Sequence, residues 1–249
     1  LNAVLIVGSS RGIGLEFVRQ VLAQPGVEVV FAGCRRPDLA LELQALHQQH
    51  SARLTIVSLD VTNEASLQVA GGAIARRTSR LDTVINCAGV LHGGPDFQPE
   101  KRLADVRAAA LEQSFRVNAI GAILLAKAFE PLLTHEGISR FASLSARVGS
   151  IGDNRLGGWY AYRASKAAQN MLLKTLALEW SRKRRQIICV ALHPGTTDTQ
   201  LSQPFQRNVP PEKLFSTQQT VRQLLTVLAQ LTLEDSGRFL AWDGSDIPW

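Results

Sequence analysis

Long apolar runs are missing from this 249-residue chain. No stretch approaches the ~20 residues of a membrane-spanning helix, so no membrane partner is expected. Cysteine is scarce. Cys34, Cys87 and Cys189 are far apart, odd in number and set in or beside apolar strand-like runs. That pattern excludes a disulfide framework and a zinc site; reduced thiols in a cytoplasmic setting are expected instead. Residues Leu1 to Val7 read as a core strand rather than a signal peptide, although a chain that does not begin with Met fits a trimmed leader. No Ser/Gly/Pro-rich linker and no internal repeat divides the sequence, which predicts one domain over 1–249. The basic cluster Arg182-Lys183-Arg184-Arg185 has no interleaved aromatic residues. It reads as a helix C-terminus that complements the macrodipole, not as a nucleic-acid patch, despite a net charge of +6.

What is present is an alternation. Short β-branched runs fall at Ala3–Val7, Val27–Ala32, Arg53–Ser58, Thr83–Asn86, Arg140–Leu144, Ile187–Leu192 and Phe239–Trp242. Helical patterns lie between them, among them Ile13–Ala23, Leu111–Leu133, Ala161–Arg182 and Thr217–Leu231. Near-continuous apolar strands alternating with helices predict an α/β fold: a mainly parallel sheet of about seven strands, doubly wound, with helices on both faces. Proline-containing stretches at 91–105 and 202–216 follow strand-end motifs. Loops at that edge border ligands in such sheets, so 202–216 is expected to close over a substrate.

The run Gly8-Ser9-Ser10-Arg11-Gly12-Ile13-Gly14 follows the first strand and opens a helix. Glycines there let the backbone turn tightly and approach a pyrophosphate at the helix N-terminus. At the end of the second strand, the carboxylate that would hold the ribose hydroxyls of NAD is absent. Arg35 stands there, and Arg11 lies in the glycine turn. Guanidinium groups suit a 2′-phosphate, so NADP is favoured over NAD. Asp60-Val61-Thr62 follows the third strand; Asp60 can accept from an adenine amino group, Asp60 or Thr62 can cap the helix that starts near Asn63, and the two roles are compatible. Asn86-Cys87-Ala88-Gly89 ends the fourth strand in small residues. Asn118 sits inside a helical pattern that asparagine does not favour, which suggests a polar task.

Tyr162 and Lys166 are four residues apart in a long helical pattern, one turn apart on one face. An ammonium beside a phenol is expected to lower its pKa, which makes the phenol a usable proton carrier. Tyr160, two residues away, points to another face.

Together these segments resemble the short-chain dehydrogenase/reductase family over essentially the whole chain: the glycine turn at 8–14, Asp60, Asn86-Cys87-Ala88-Gly89, Asn118, Tyr162-x-x-x-Lys166, then Pro194-Gly195 with Thr197 and Thr199. The C-terminal Phe239–Trp249 segment and the extra Asp153–Gly158 stretch look like the sniffer-type carbonyl reductase branch. The resemblance implies hydride transfer between a nicotinamide and a carbonyl or alcohol substrate. It implies Tyr162 as proton donor, Lys166 on the nicotinamide ribose, and Asn118 holding a water in a proton relay. It implies carboxamide contacts after Pro194-Gly195, and a homodimer or homotetramer. One departure stands out. The family's usual serine position aligns with Ala146; Ser145 is one residue early, and Ser150 lies in the following loop. Ser145 is the residue expected to take the role. That departure also gives weight to another function, a cofactor-binding regulatory or signalling protein with little turnover.

Overall fold

The computed structural model describes residues 2–249; Leu1 lies outside them. Seven strands form one parallel sheet. In chain order these are β1 (Ala3–Val7), β2 (Val29–Cys34), β3 (Leu54–Ser58), β4 (Thr83–Asn86), β5 (Ser139–Leu144), β6 (Ile187–His193) and, last, β9 (Phe239–Ala241). Their spatial order is β3-β2-β1-β4-β5-β6-β9. The short β7 (Thr196–Thr197) and β8 (Leu214–Phe215) pair separately, in parallel. The helices are α1 (Gly12–Ala23), α2 (Leu41–Gln49), α3 (Glu64–Ala75), α4 (Ala108–Ser114), α5 (Gly121–Leu133), α6 (Tyr160–Arg182) and α7 (Thr217–Gln230).

Strand side chains alternate between two faces, and both faces here are covered. Along β1, Ala3, Leu5 and Val7 enter one core with Phe129, Phe141 and Trp180. Val4 and Ile6 enter the other with Phe17, Val190 and Leu224. This double burial explains why the strands read as continuous apolar runs. The expected strands appear with ends shifted by up to two residues; β2, for example, runs to Cys34 and not Ala32.

The helix expected over 111–133 is one continuous rod with an irregular centre. Phe115–Ile120 is a π-turn in which Gly121 N–H donates to Arg116 O, five residues back. Such bulges often mark functional positions, and this one carries Asn118. The stretch 202–216 is also more ordered than a plain loop: 3₁₀ turns cover Gln203–Asn208 and Pro211–Lys213 before β8.

The chain winds outward from β1 through β2 to β3, then returns to β4 on the other side of β1. The carboxyl ends of β1 and β4 therefore flank the point where the winding reverses, and ligand crevices form there.

Candidate active site

Gly8 ends β1 with φ +79°, and a Cβ there would meet Ala88 N at 2.8 Å. Only glycine permits both the backbone conformation and the approach to β4's end. Gly14 is equally constrained: a Cβ would stand 2.2 Å from Gly8 O. The turn is pinned to β2, whose Gly33 O accepts Gly8 N–H (2.9 Å) and Ser9 Oγ (3.0 Å). No side chain caps the N-terminus of α1. Its free first-turn N–H groups suit an anion.

This turn forms one wall of a cleft of about 440 Å³ along the carboxyl ends of the strands. Gly8, Ser10, Arg11, Gly12, Ile13 and Gly14 line it, and Arg35 lines it from the end of β2. Asp60 and Val61 come from the end of β3, and Ala88 and Gly89 from the end of β4. Tyr162 and Lys166 enter from α6, and Ser145, Pro194 and Thr199 also line the cleft; the expected Asn86, Asn118, Gly195 and Thr197 are not in the lining. Cys87, from the expected strand-end run, also lines the cleft, as do Glu42, Gln200 and Leu201, for which sequence spacing gave no signal. The Arg11 guanidinium donates to the Gln200 side-chain oxygen, bridging the cleft's two rims.

Other expected residues support the cleft from behind. Asn86 is buried; its Nδ2 donates to Ser143 Oγ (2.9 Å) and its Oδ1 accepts Ala88 N–H (3.1 Å), shaping the β4 end. Gly195 has φ +73° and packs against Phe215. Thr197 Oγ1 lies 2.8 Å from Thr220 Oγ1, tying β7 to α7. Asp60 does not cap α3. Its Oδ1 accepts from Thr62 N and Oγ1 (2.9 and 2.8 Å), and Asn63 is the cap, accepting from Ser66 N–H. Asn118 is buried with its amide fully engaged: Oδ1 accepts Val90 N–H (2.8 Å), while Nδ2 donates to Val90 O (2.9 Å) and Ser165 Oγ (3.0 Å).

Tyr162 is 9% exposed and Lys166 3%, whereas Tyr160 is 41% exposed. The two tyrosines thus face differently, as helical spacing requires. Lys166 Nζ lies 5.8 Å from the Tyr162 ring centre. It donates to Leu144 O and Gln169 Oε1, both at 2.9 Å. Burial pulls the Lys166 pKa down to about 7. The expected lowering of the Tyr162 pKa does not hold for the protein alone. Burial pushes it upward, because a phenolate loses its hydration here.

The two candidate serines are placed differently. Ser145 reaches the cleft wall, buried, with Oγ donating to Asn170 Oδ1 at 2.6 Å. Ser150 is turned to the loop, where its Oγ accepts Asp153 N–H. An aromatic group bridges the outer rim. Trp159, with φ +53°, packs edge-on against both Tyr162 and Phe205, and His92 packs on Phe205. Three separate segments supply these rings, so no local pattern revealed them.

Fold and cleft together define a doubly wound protein with a dinucleotide-type crevice at the reversal of its strand order. Residues 2–210 match the short chain dehydrogenase family. The NADPH-bound carbonyl reductase from chicken fatty liver superposes with a TM-score of 0.89 at 34% identity, covering 100% of this chain and 99% of that one. Carbonyl reductase Sniffer of D. melanogaster superposes with a TM-score of 0.88 at 28% identity over 100% of both chains. The 1-hydroxy-2-glutathionyl-2-methyl-3-butene dehydrogenase of Rhodococcus sp. is 31% identical over 100% of both chains. The chain belongs to the short-chain dehydrogenase/reductase family of NAD(P)-dependent oxidoreductases.

Among the described residues, no helix is long and apolar enough to cross a membrane, and no His/Cys/Asp/Glu group is arranged to hold a metal.

Proposed function

We propose that this protein is an NADPH-dependent reductase of small-molecule carbonyls, with Tyr162 as its general acid/base. The observation that carries the reading is a buried phenol and a buried ammonium one helical turn apart, in the same cleft as an uncapped, glycine-lined helix N-terminus. The donor set fits a dinucleotide phosphate. N–H groups of the glycine turn would hold the pyrophosphate, Arg11 and Arg35 the 2′-phosphate, and Asp60 and Val61 the adenine edge. Gly89, Pro194 and Thr199 would border the nicotinamide, and Lys166 its ribose. When bound, NADPH supplies the hydride. Tyr162 protonates the carbonyl oxygen, and Lys166 stabilises the phenolate left behind. Ser145 would donate to that oxygen by turning its hydroxyl away from Asn170 Oδ1, which it meets in the protein alone. Asn118 fixes the Val90 segment, which lines the cleft; with its amide engaged there, a relay water would rest on its backbone.

The proposed substrate loop, 202–216, seats Phe205 on Trp159 above Tyr162, which excludes water from the phenol. The NADP-bound state of the chicken enzyme supports the cofactor choice. A regulatory protein with little turnover is the alternative reading; the buried Tyr162–Lys166 pair favours turnover over it.

The test is NADPH consumption with a panel of diketones, quinones and aldehydes, repeated with NADH. Turnover is expected, with NADPH favoured at least ~10-fold in Kd, about 1.4 kcal/mol. No turnover across the panel despite NADPH binding would return the regulatory reading; equal Kd values would remove the NADP assignment.

A further inference from the structure

Along α6, Tyr162, Ser165, Lys166, Gln169 and Asn170 are all buried. They follow helical spacing along one face, where apolar side chains normally meet a core. Tyr162 and Lys166 are explained by the chemistry, Ser165 by its bond to Asn118, and Asn170 by its bond to Ser145. Gln169 has no such role, and a leucine would fill similar space.

Its bonds point to Lys166. Gln169 Oε1 accepts from Lys166 Nζ at 2.9 Å. Gln169 Nε2 donates to Ser143 Oγ at 2.7 Å and Leu144 O at 3.2 Å. Ser143 Oγ also accepts from Asn86 Nδ2, so the amide is anchored to the ends of β4 and β5. The amide orientation follows from chemistry. An ammonium only donates, so it must face the oxygen, which turns the NH₂ toward the two acceptors.

We propose that Gln169 is a positioning residue for Lys166, holding the ammonium at the inner end of the cleft and keeping it charged away from water. The inference rests on the reading of Lys166 as the site's working cation. A buried ammonium loses its hydration, and two oxygens, Leu144 O and Gln169 Oε1, replace part of it. The titratable groups facing Lys166 are Cys87, after β4, and Tyr162, on its own helix. Neither supplies a carboxylate, so the neutral oxygens carry the compensation. Burial already brings the Lys166 pKa down to about 7. Losing Oε1 must lower it further, because the charged form loses a hydrogen bond that the neutral amine needs less.

The experiment is a pH titration of the ligand-free protein labelled with ¹³Cε-lysine. The Lys166 resonance is assigned by its absence in Lys166→Arg. In Gln169→Leu the midpoint should fall by about one pH unit; in Gln169→Glu, which puts a carboxylate against the ammonium, it should rise by at least as much. With a turned-over carbonyl, kcat of Gln169→Leu should drop about tenfold at pH 8 and little at pH 6, with KM for the carbonyl unchanged. A merely structural glutamine would lower activity without this pH dependence. Unmoved midpoints in folded Gln169→Leu and Gln169→Glu would overturn the inference. If Gln169→Leu does not fold, the midpoint of Gln169→Glu decides alone. The titration needs neither cofactor nor substrate. Wild-type protein that reduces no carbonyl would therefore sink the proposed function, while the resonance still judges Gln169.

Discussion

Two tyrosines two positions apart provide an internal control at the site. Tyr162 is buried beside Lys166, and Tyr160 is exposed. Tyr162→Phe should lower turnover by about 10²–10⁴-fold, the range of a lost general acid, with NADPH affinity nearly unchanged. Tyr160→Phe should remain active. Steady-state kinetics with fluorescence titration of NADPH check both, and the opposite ranking would unseat Tyr162. Lys166 also makes a stability prediction. Its folded pKa is near 7, below the ordinary 10.5. Between those values the unfolded chain binds the proton and the folded protein sheds it, so this residue makes stability rise with pH through that window. It opposes folding most fully below pH 7. Tyr162, raised by burial, acts oppositely only above pH ~10, where an unfolded tyrosine ionises. Urea midpoints should therefore rise more steeply from pH 7 to 10 in the wild type than in Lys166→Met. Equal slopes would mean that the lysine keeps its ordinary ionisation.

The elements differ in how plainly the sequence announces them. Strands buried on both faces leave apolar runs, and the glycine turn leaves its spacing, so sheet, first helix and the Tyr162–Lys166 face were legible. The π-turn at Phe115–Ile120 was not, because a single extra residue in a helical ladder barely changes the apolar period. Nor was the Gln169–Ser143–Asn86 array, whose members lie on three elements and meet only through the fold. Ser145's orientation escaped for the same reason: its partner Asn170 is 25 residues away. Gly149 ties such elements together. A Cβ there would stand 2.7 Å from Lys166 Cβ and 2.9 Å from Lys166 C, so α6 packs directly on the turn after β5. Gly149→Ala should destabilise the protein by about 1–3 kcal/mol through overpacking, read from urea unfolding, and should displace Lys166. Unchanged stability would show that α6 yields easily there.

At the scale of the whole molecule, the π-turn ahead of α5 and the helix α6 leave large apolar side chains exposed. Ile120, just ahead of α5, and Met171 and Leu178 on α6 are exposed, Met171 at 66%. A homodimer or homotetramer that covers these side chains is expected, and light scattering at micromolar concentration checks it; a monomer there would refute it. Met171→Glu with Leu178→Glu should break the assembly. Another large-scale consequence follows from the two-residue ladder between β7 and β8. Its bonds, with Asp198 N–H donating to Phe215 O, bring the two ends of the intervening segment together. Loop-closure entropy grows only slowly with length, and here closure is done by a clip outside the main sheet. The segment between the clipped ends is thus an exchangeable cassette. If 202–216 is the substrate loop proposed above, its length and side chains can be rewritten while the sheet stays untouched, whereas Thr199 and Gln200, inside the same clip, must stay because they line the cleft and Gln200 accepts from Arg11 of the glycine turn. A protein built this way can acquire new substrates through its loop without refolding its core.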